Sequence, residues 1–465
     1  MGGGGVRISQ EAFEELVREN MEDLGMDPAE ALQDAVHTLT LQGVDLSGIV
    51  QCVPGQGSAN DNPVVHSLDS LRLLLDSKLL DSQDLLLPLL HDLTAFCTFT
   101  ATDRATNLAI AAKKGGIELL TSLSSQIATS RSANHHLTLS TLNALACLLH
   151  DVPSAEIFLK HGGPSAVMDI LQFSGQNLDV LNACCSVVSA AATGNEILKE
   201  SFMNLKIEER IIHIMKTHNK GSIPSLYDAI RVLLTSDDNR VVASQVYGYA
   251  RKFAESGVAE ALVQSLAEGI SSPSLVSASV ALKAVAVNDE ICRSVAEKGG
   301  IDSILRCIDD SGKQRNKTVA RTCCSLLSKL AGSDTNKLAI AEKGGMDRLI
   351  QLSNIFCDDP SVLQEVMYLF SVLSLRSPDH ATHAVEAGAG ELAVKAMQKF
   401  PTASQLQRNA CLMVRNLVAR NPENRVILLN NGIETIIRKA RENHESCKAA
   451  ATDALRDLGI ANYNS

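Results

Sequence analysis

The sequence predicts an all-α fold, a right-handed α-superhelix of stacked helical repeats with a separate helical segment at its N-terminus. Three observations carry this expectation. A glycine-cornered phrase returns at intervals of about 45 residues. Apolar residues recur at helical spacing along almost the whole chain. Aromatics make up only 3% of the 465 residues and tryptophan is absent, so Leu, Ala, Val and Ile must fill the core. Closely packed helices suit that choice, whereas strands favour aromatic and β-branched side chains.

Residues 1–50 read as two amphipathic helices. Ser9 is placed to cap the first, whose apolar stripe is Phe13, Leu16, Val17, Met21 and Leu24. Asp27-Pro28 supplies an N-cap and a first helical residue for the second. Its stripe is Ala31, Leu32, Ala35, Val36 and Leu39, and Gly43 ends it. Residues 51–63, QCVPGQGSANDNP, have the composition of a linker.

From residue 64 to 465 one phrase dominates. AKKGGIE (Ala112–Glu118), AEKGGID (Ala296–Asp302) and AEKGGMD (Ala341–Asp347) have weaker copies at Leu159–Val167, Ala254–Leu262, Val385–Ala393 and Leu429–Ile436. Anchored at Gly116, Gly163, Gly257, Gly300, Gly345, Ala389 and Gly432, the intervals are 47, 94, 43, 45, 44 and 43 residues. The long interval holds a degenerate copy at Asn195–Ile212. A period of 40–47 residues is the mark of an armadillo or HEAT solenoid. About nine units are expected, the first and third degenerate. Each starts with a short helix opened by Asn or Asp, as at Asn107, Asn195, Asp289, Asn336 and Asn424. A glycine corner and a second helix follow, then a polar break such as DDSGKQRNK (Asp309–Lys317). A long apolar third helix closes the unit, as at Thr318–Gly332. Glycine ends a helix cheaply by taking the left-handed conformation, and a lysine there offsets the helix dipole. The Gly-Lys phrase therefore needs no phosphate.

Charge and cysteine content narrow the function classes. The net charge of −11 argues against a general nucleic-acid binder. It is unevenly spread: residues 1–50 hold two basic and ten acidic side chains, residues 395–465 eleven basic and six acidic. The twelve cysteines include no C-x-x-C, and the pairs Cys184–Cys185 and Cys323–Cys324 fall in apolar helical runs, as buried thiols of a reducing compartment do. MGGGGVRIS lacks an apolar signal core, and Val6 stands where a myristoylation start wants Ser or Thr. No uncharged apolar run of about 18 residues occurs. A cytoplasmic or nuclear, non-secreted protein with no transmembrane segment is expected.

The short first helix, glycine corner and apolar third helix resemble the armadillo repeat over roughly residues 64–460. The block Ile8–Val50, with SDDNRV (Ser236–Val241), NACLMVRNLVA (Asn409–Ala419) and ATDALRDLG (Ala451–Gly459), resembles the armadillo repeat-containing protein 6 group in particular. That resemblance implies a superhelical interaction protein without enzymatic activity; no cofactor and no metal are expected. Armadillo import receptors grip basic peptides with Trp and Asn on their third helices. Here the asparagine position holds Cys147, Ala190, Val232, Ala284, Lys329, Val372 and Asn416, one asparagine in seven, so that mode of recognition is not expected.

Catalytic templates are missing: no phosphate-binding G-x-x-x-x-G-K-[ST], no H-E-x-x-H and no G-x-S-x-G occurs. His380 and His383 have metal-ligand spacing but no further ligand nearby in sequence, so an exposed pair is expected. Two partner-binding sites are predicted. One is the long unit around SDDNRVVASQVYGYARKFAESG, with Arg240, Tyr247, Tyr249 and Arg251, because insertions in solenoids often reach the binding face and Tyr and Arg are favoured anchors. Inward packing of those aromatics is the alternative. The other is a basic C-terminal groove of Lys329, Arg415 and Asn416, with Arg408 and Arg420 nearby. The leading function is a protein–protein interaction scaffold binding a partner along the concave face. The alternative is a nucleic-acid-associating adaptor that uses the basic groove. The partner's identity and the oligomeric state are not encoded legibly.

Overall fold

The structure, a computed structural model, describes residues 6–46, 49, 62–76, 83–98, 101, 103–130, 134–174, 177–218, 223–237 and 243–463. It is helical apart from a two-residue parallel bridge between β1 (Val6–Arg7) and β2 (Val44–Asp45). The chain divides into two compact units: Met1–Arg210 with Ser236–Val241, and Ile211–Thr235 with Val242–Ser465.

The first unit begins with α1 (Gln10–Glu22) and α2 (Pro28–Leu41). The Ala12 amide donates to Ser9 Oγ at 3.1 Å and the Glu30 amide to Asp27 Oδ1 at 3.0 Å, so both expected caps form. Phe13, Val17, Ala31, Ala35, Leu39 and Ile49 make a small core between the two helices. Leu24 is not part of it: it lies past the end of α1 and is 64% exposed. The linker expected at 51–63 lies almost wholly outside the described residues; Asn62 and Pro63 already start the next helix, the Val64 amide donating to Asn62 Oδ1.

Repeats follow. The first unit continues with α3 (Pro63–Asp76), α4 (Gln83–Cys97), α5 (Arg104–Lys113), α6 (Gly116–Ser130), α7 (His135–Leu148), α8 (Val152–Lys160), α9 (Gly163–Phe173), α10 (Leu178–Ala192) and α11 (Glu196–Asn204). Next come α12 (Ile207–Thr217) and, in the second unit, α13 (Pro224–Leu234), α14 (Ala243–Glu255), α15 (Val258–Ala267) and α16 (Leu275–Val285). The regular repeats then run as α17 (Asp289–Glu297), α18 (Gly300–Lys313), α19 (Lys317–Leu330); α20 (Asp334–Glu342), α21 (Gly345–Ile355), α22 (Pro360–Ser374); α23 (Pro378–Ala387), α24 (Ala389–Lys399), α25 (Ser404–Val418); and α26 (Pro422–Asn430), α27 (Ile433–Asn443), α28 (Lys448–Asp457). Counted from α3 and α4, the degenerate copy α11–α13 is the fourth unit rather than the third. Within the second unit the third helices α16, α19, α22, α25 and α28 pack in succession.

The corner is sharper than the sequence suggests. Where two glycines stand together, the first takes the left-handed conformation: Gly299 has φ +82° and Gly344 φ +68°. The second opens the next helix and is there for closeness. A Cβ on Gly300 would meet Val295 Cγ1 at 2.6 Å and the Val295 carbonyl oxygen at 2.7 Å. The chain corners therefore fall at Gly115, Gly162, Gly299 and Gly344, one residue before the expected anchors. In the eighth unit Gly388, not Ala389, makes the turn, and in the degenerate unit Lys206 does so at φ +60°.

Two further expectations are corrected. Only Asn195 of the named openers caps its helix, its Oδ1 accepting from the Leu198 amide. Asn107, Asn336 and Asn424 sit inside the first helix, where their amides donate back to the carbonyls of Phe96, Leu330 and Leu417 near the end of the preceding helix. They lock the turn between repeats, since a third helix leaves its last carbonyls unpaired. The polar break Asp309–Lys317 is not a break at first: α18 runs on to Lys313, with Ser311 and Gly312 buried.

Buried lysines do similar work. Lys199 on α11 is almost fully buried, and its Nζ lies 2.9 Å from Glu196 Oε1 and 2.7 Å from Asp237 Oδ2. Asp237 also accepts from the Gly194 amide at 2.8 Å. This joins residue 237 to the first unit. Lys337 on α20 repeats the pattern with Asp334 Oδ1 at 2.9 Å and the Leu375 carbonyl at 3.1 Å.

Candidate functional site

Each third helix of the second unit hides two sides against neighbours and leaves one stripe in solvent. On α19 that stripe includes Thr318, Arg321, Ser325 and Lys329; on α22 Gln364, Glu365, Tyr368 and Val372; on α25 Gln405, Arg408, Leu412 and Arg415. The spacing of three and four residues is that of one helix face. Counting from their helix starts, Arg321, Gln364 and Arg408 each hold the fifth position of three successive third helices. Tyr368 stands one turn further along the middle helix and is 42% exposed, a large aromatic surface left in water.

The predicted groove residues divide on inspection. Lys329 and Arg408 are exposed, and among the described residues neither has a carboxylate within 4 Å. Arg321 shares that condition and was not singled out from sequence, although it occupies the same helix position as Arg408. Arg415 differs: its Nη1 lies 3.1 Å from Asp453 Oδ2 and its Nε 3.4 Å from Asp457 Oδ2, so α28 offsets its charge. Asn416 donates to the Ser371 carbonyl at 2.8 Å and to Ser371 Oγ at 3.0 Å, which ties α25 to α22. Arg420 is exposed but lies in the turn after α25, with φ +58°, off the stripe. Lys283 on α16 donates to Ser325 Oγ at 2.7 Å.

The other predicted site is less complete. Arg240 lies outside the described residues. Tyr247 belongs to α14, and Arg251 is exposed on the same helix. Tyr249 is 9% exposed and its hydroxyl accepts from Gln245 Nε2 at 2.8 Å, which is inward packing. Tyr227, the nearby aromatic on α13, is buried with its hydroxyl 3.3 Å from Ser265 Oγ, and burial raises its pKa above the usual phenol value.

His380 and His383 are half-buried rather than exposed. No group of three potential metal ligands occurs among the described residues. Eleven of the cysteines are described, all as free thiols. Burial pushes Cys97 and Cys185 up to about 12, far from the thiolate form that nucleophilic or metal chemistry requires. Cys357 is exposed, unlike the rest.

Comparison with known proteins agrees with this architecture. Over 97% of this chain and 99% of the other, the fold is similar to that of an engineered protein of known crystal structure (Northeast Structural Genomics Consortium target OR497), with TM-score 0.68 and 17% identity. Armadillo repeat-containing protein 6 of Homo sapiens is 28% identical over 391 residues, 81% of this chain and 75% of that protein. The Drosophila melanogaster homolog is 24% identical over 381 residues, 82% and 80% of the two chains. The ARMC6 family model matches residues 66–463, and the model of the armadillo repeat-containing protein 6 N-terminal domain matches residues 5–66. With both models laid end to end along its sequence, this chain belongs to the armadillo repeat-containing protein 6 family.

Proposed function

We propose that the protein is a non-enzymatic interaction scaffold of the cytoplasm or nucleus, and that it takes an acidic, extended segment of a partner protein across α19, α22 and α25. The observation that carries this reading is Tyr368, exposed between two third helices that present Arg321 and Arg408 at the same helix position, with no carboxylate within 4 Å of either among the described residues. An aromatic flanked by arginines has the composition of an interface hot spot. Lys329 extends the positive surface toward the end of α19. Tyr247 and Arg251 of α14 are proposed as an auxiliary contact, and Arg240 as a separate one.

The experiment is fluorescence anisotropy with a labelled Glu-rich peptide and a labelled single-stranded RNA of similar length. Peptide binding that is lost in Arg321→Glu with Arg408→Glu, and weakened in Tyr368→Ala, supports the reading. Equal binding by wild type and the double variant, or preference for the RNA with a steep salt dependence, overturns it.

A further inference from the structure

On the other side of the same repeats, the second helices meet through their corners. At two successive joints the lysine before the corner glycine crosses to an acid of the previous second helix: Lys298 Nζ to Glu260 Oε2 at 2.9 Å, Lys343 Nζ to Asp302 Oδ1 at 2.6 Å. At the next joint Ala387 stands in the lysine's place, directly before Gly388. Among the described residues no ammonium pairs with an acid of α21 there, although Lys399 of α24 reaches Asp358 beyond the end of α21. A cleft of about 460 Å³ opens between α21 and α24, with Ala387 on its wall.

The floor of this cleft is aliphatic: Ile350 from α21, the buried Leu363 from α22, and Leu392 and Ala396 from α24. Its rim is charged, but most of that charge is internally offset. Lys395 pairs with Glu391 at 3.0 Å, and Lys399 with Asp358. Glu386, on the rim beside the corner, has no cation within 4 Å among the described residues. The groove one joint earlier, between α18 and α21, is built differently: Lys343 lines it, and Arg348 Nη1 pairs with Asp309 Oδ2 at 2.5 Å.

We infer that the cleft between α21 and α24 is a second binding site, for a small apolar ligand that carries a cation. Its volume lies in the range of small-ligand pockets, about 300–1,000 Å³. The aliphatic floor supplies the burial, and Glu386 supplies the one uncompensated charge at the rim. A carboxylate ligand would meet that charge as a repulsion. The inference is independent of the acidic-segment reading: both sites draw on α22, but with different residues, Leu363 here and Tyr368 there, and the charged groups that flank them are of opposite sign.

Cys357 lines the same cleft and is exposed, which provides a reporter. The full chain is treated with iodoacetamide, and alkylation of Cys357 is followed by intact mass, with Cys357→Ser defining the background. The probes are 4-phenylbutylamine and 4-phenylbutyrate, alike in apolar body and opposite in charge. The amine is expected to slow alkylation and the acid to have little effect. In Glu386→Gln the amine should be weaker by about two- to fivefold, the scale of one exposed ion pair. Ala387→Lys, which introduces the lysine found at the two preceding corners, should abolish protection. Equal protection by both probes, no protection at millimolar amine, or an unchanged response in Glu386→Gln overturns the assignment.

Discussion

Lys343 Nζ stands 2.6 Å from Asp302 Oδ1, one repeat away. Lys298 and Glu260 make the same contact at the preceding joint. The lysine of the AEKGG phrase thus does more than sit at a helix terminus. It spans from its own corner to the second helix of the previous repeat, and the glycines hold the backbone where that reach is possible.

Such a pair is a weak link taken singly. Both side chains are largely solvated, so the coupling between Lys343→Ala and Asp302→Ala in a double-mutant cycle should be about 0.2–1 kcal/mol. It should shrink in high salt. Urea unfolding at two ionic strengths checks both statements; a coupling that salt leaves unchanged would contradict them.

Glycine substitutions should separate by site. Gly300→Ala places a methyl group 2.6 Å from Val295 Cγ1 and should destabilise the protein by about 1–3 kcal/mol, the range for an overpacked contact. Gly248→Ala lies within α14 with nothing in reach of the new Cβ, and should stabilise by about 0.5–1 kcal/mol. Thermal melts of the two variants should therefore move in opposite directions.

Lys199→Ala leaves Glu196 and Asp237 facing each other without their ammonium. Loss of one partner of a buried pair costs about 3–5 kcal/mol, and the partial exposure of Asp237 places this case toward about 2–4 kcal/mol. Limited proteolysis, read by mass spectrometry, should show new cleavage near α11. If the melting temperature is unchanged, the cluster is not holding that region.

Asp359 caps α22 and gives the protein an acid-sensitive joint. Burial opposes its charge, but the bonds it accepts from the Ser361 hydroxyl and the amides of Ser361 and Val362, together with nearby Lys317, bring its pKa below the ordinary value of 3.8. A carboxyl depressed in the folded state stabilises above its unfolded pKa and loses that contribution as pH falls through its folded value. Asp359→Asn should therefore be less sensitive than wild type to acidification below about pH 4. Midpoints of urea unfolding at pH 6 and near pH 3 test the sign.

Much of the fold was legible because a repeat advertises itself. The third helix expected at Thr318–Gly332 forms as α19, Lys317–Leu330, since a helix buried on two sides needs an almost unbroken aliphatic surface. The caps at Ser9 and Asp27 were legible for a similar reason: a cap acts within three residues. Errors arose where a residue's role lies across space. Asn336 and Asn424 look like helix openers, yet they donate to carbonyls of the preceding third helix. Gly300 looks like the turn, yet Gly299 makes it.

The candidate site followed the same division. Residue type predicted a basic surface on the late third helices, and Lys329 and Arg408 have the exposure that this requires. Nothing local in the sequence distinguishes Arg415 from Arg408. Only packing places Asp453 and Asp457 of α28 beside the former. The long unit points to Tyr249 and nothing local points to Tyr368, yet Tyr249 is buried and Tyr368 exposed, because burial is a property of neighbours.

By itself, then, the sequence determined the period, through the recurrence of one phrase, and the helical class, the aliphatic core and most chain corners to within a residue, because these last depend on residues within a turn or two of one another. The tertiary structure decided which charges remain free, which thiol faces solvent and where the second helices part to leave a cleft. Those depend on side chains some forty residues apart, brought together by stacking one repeat on the next.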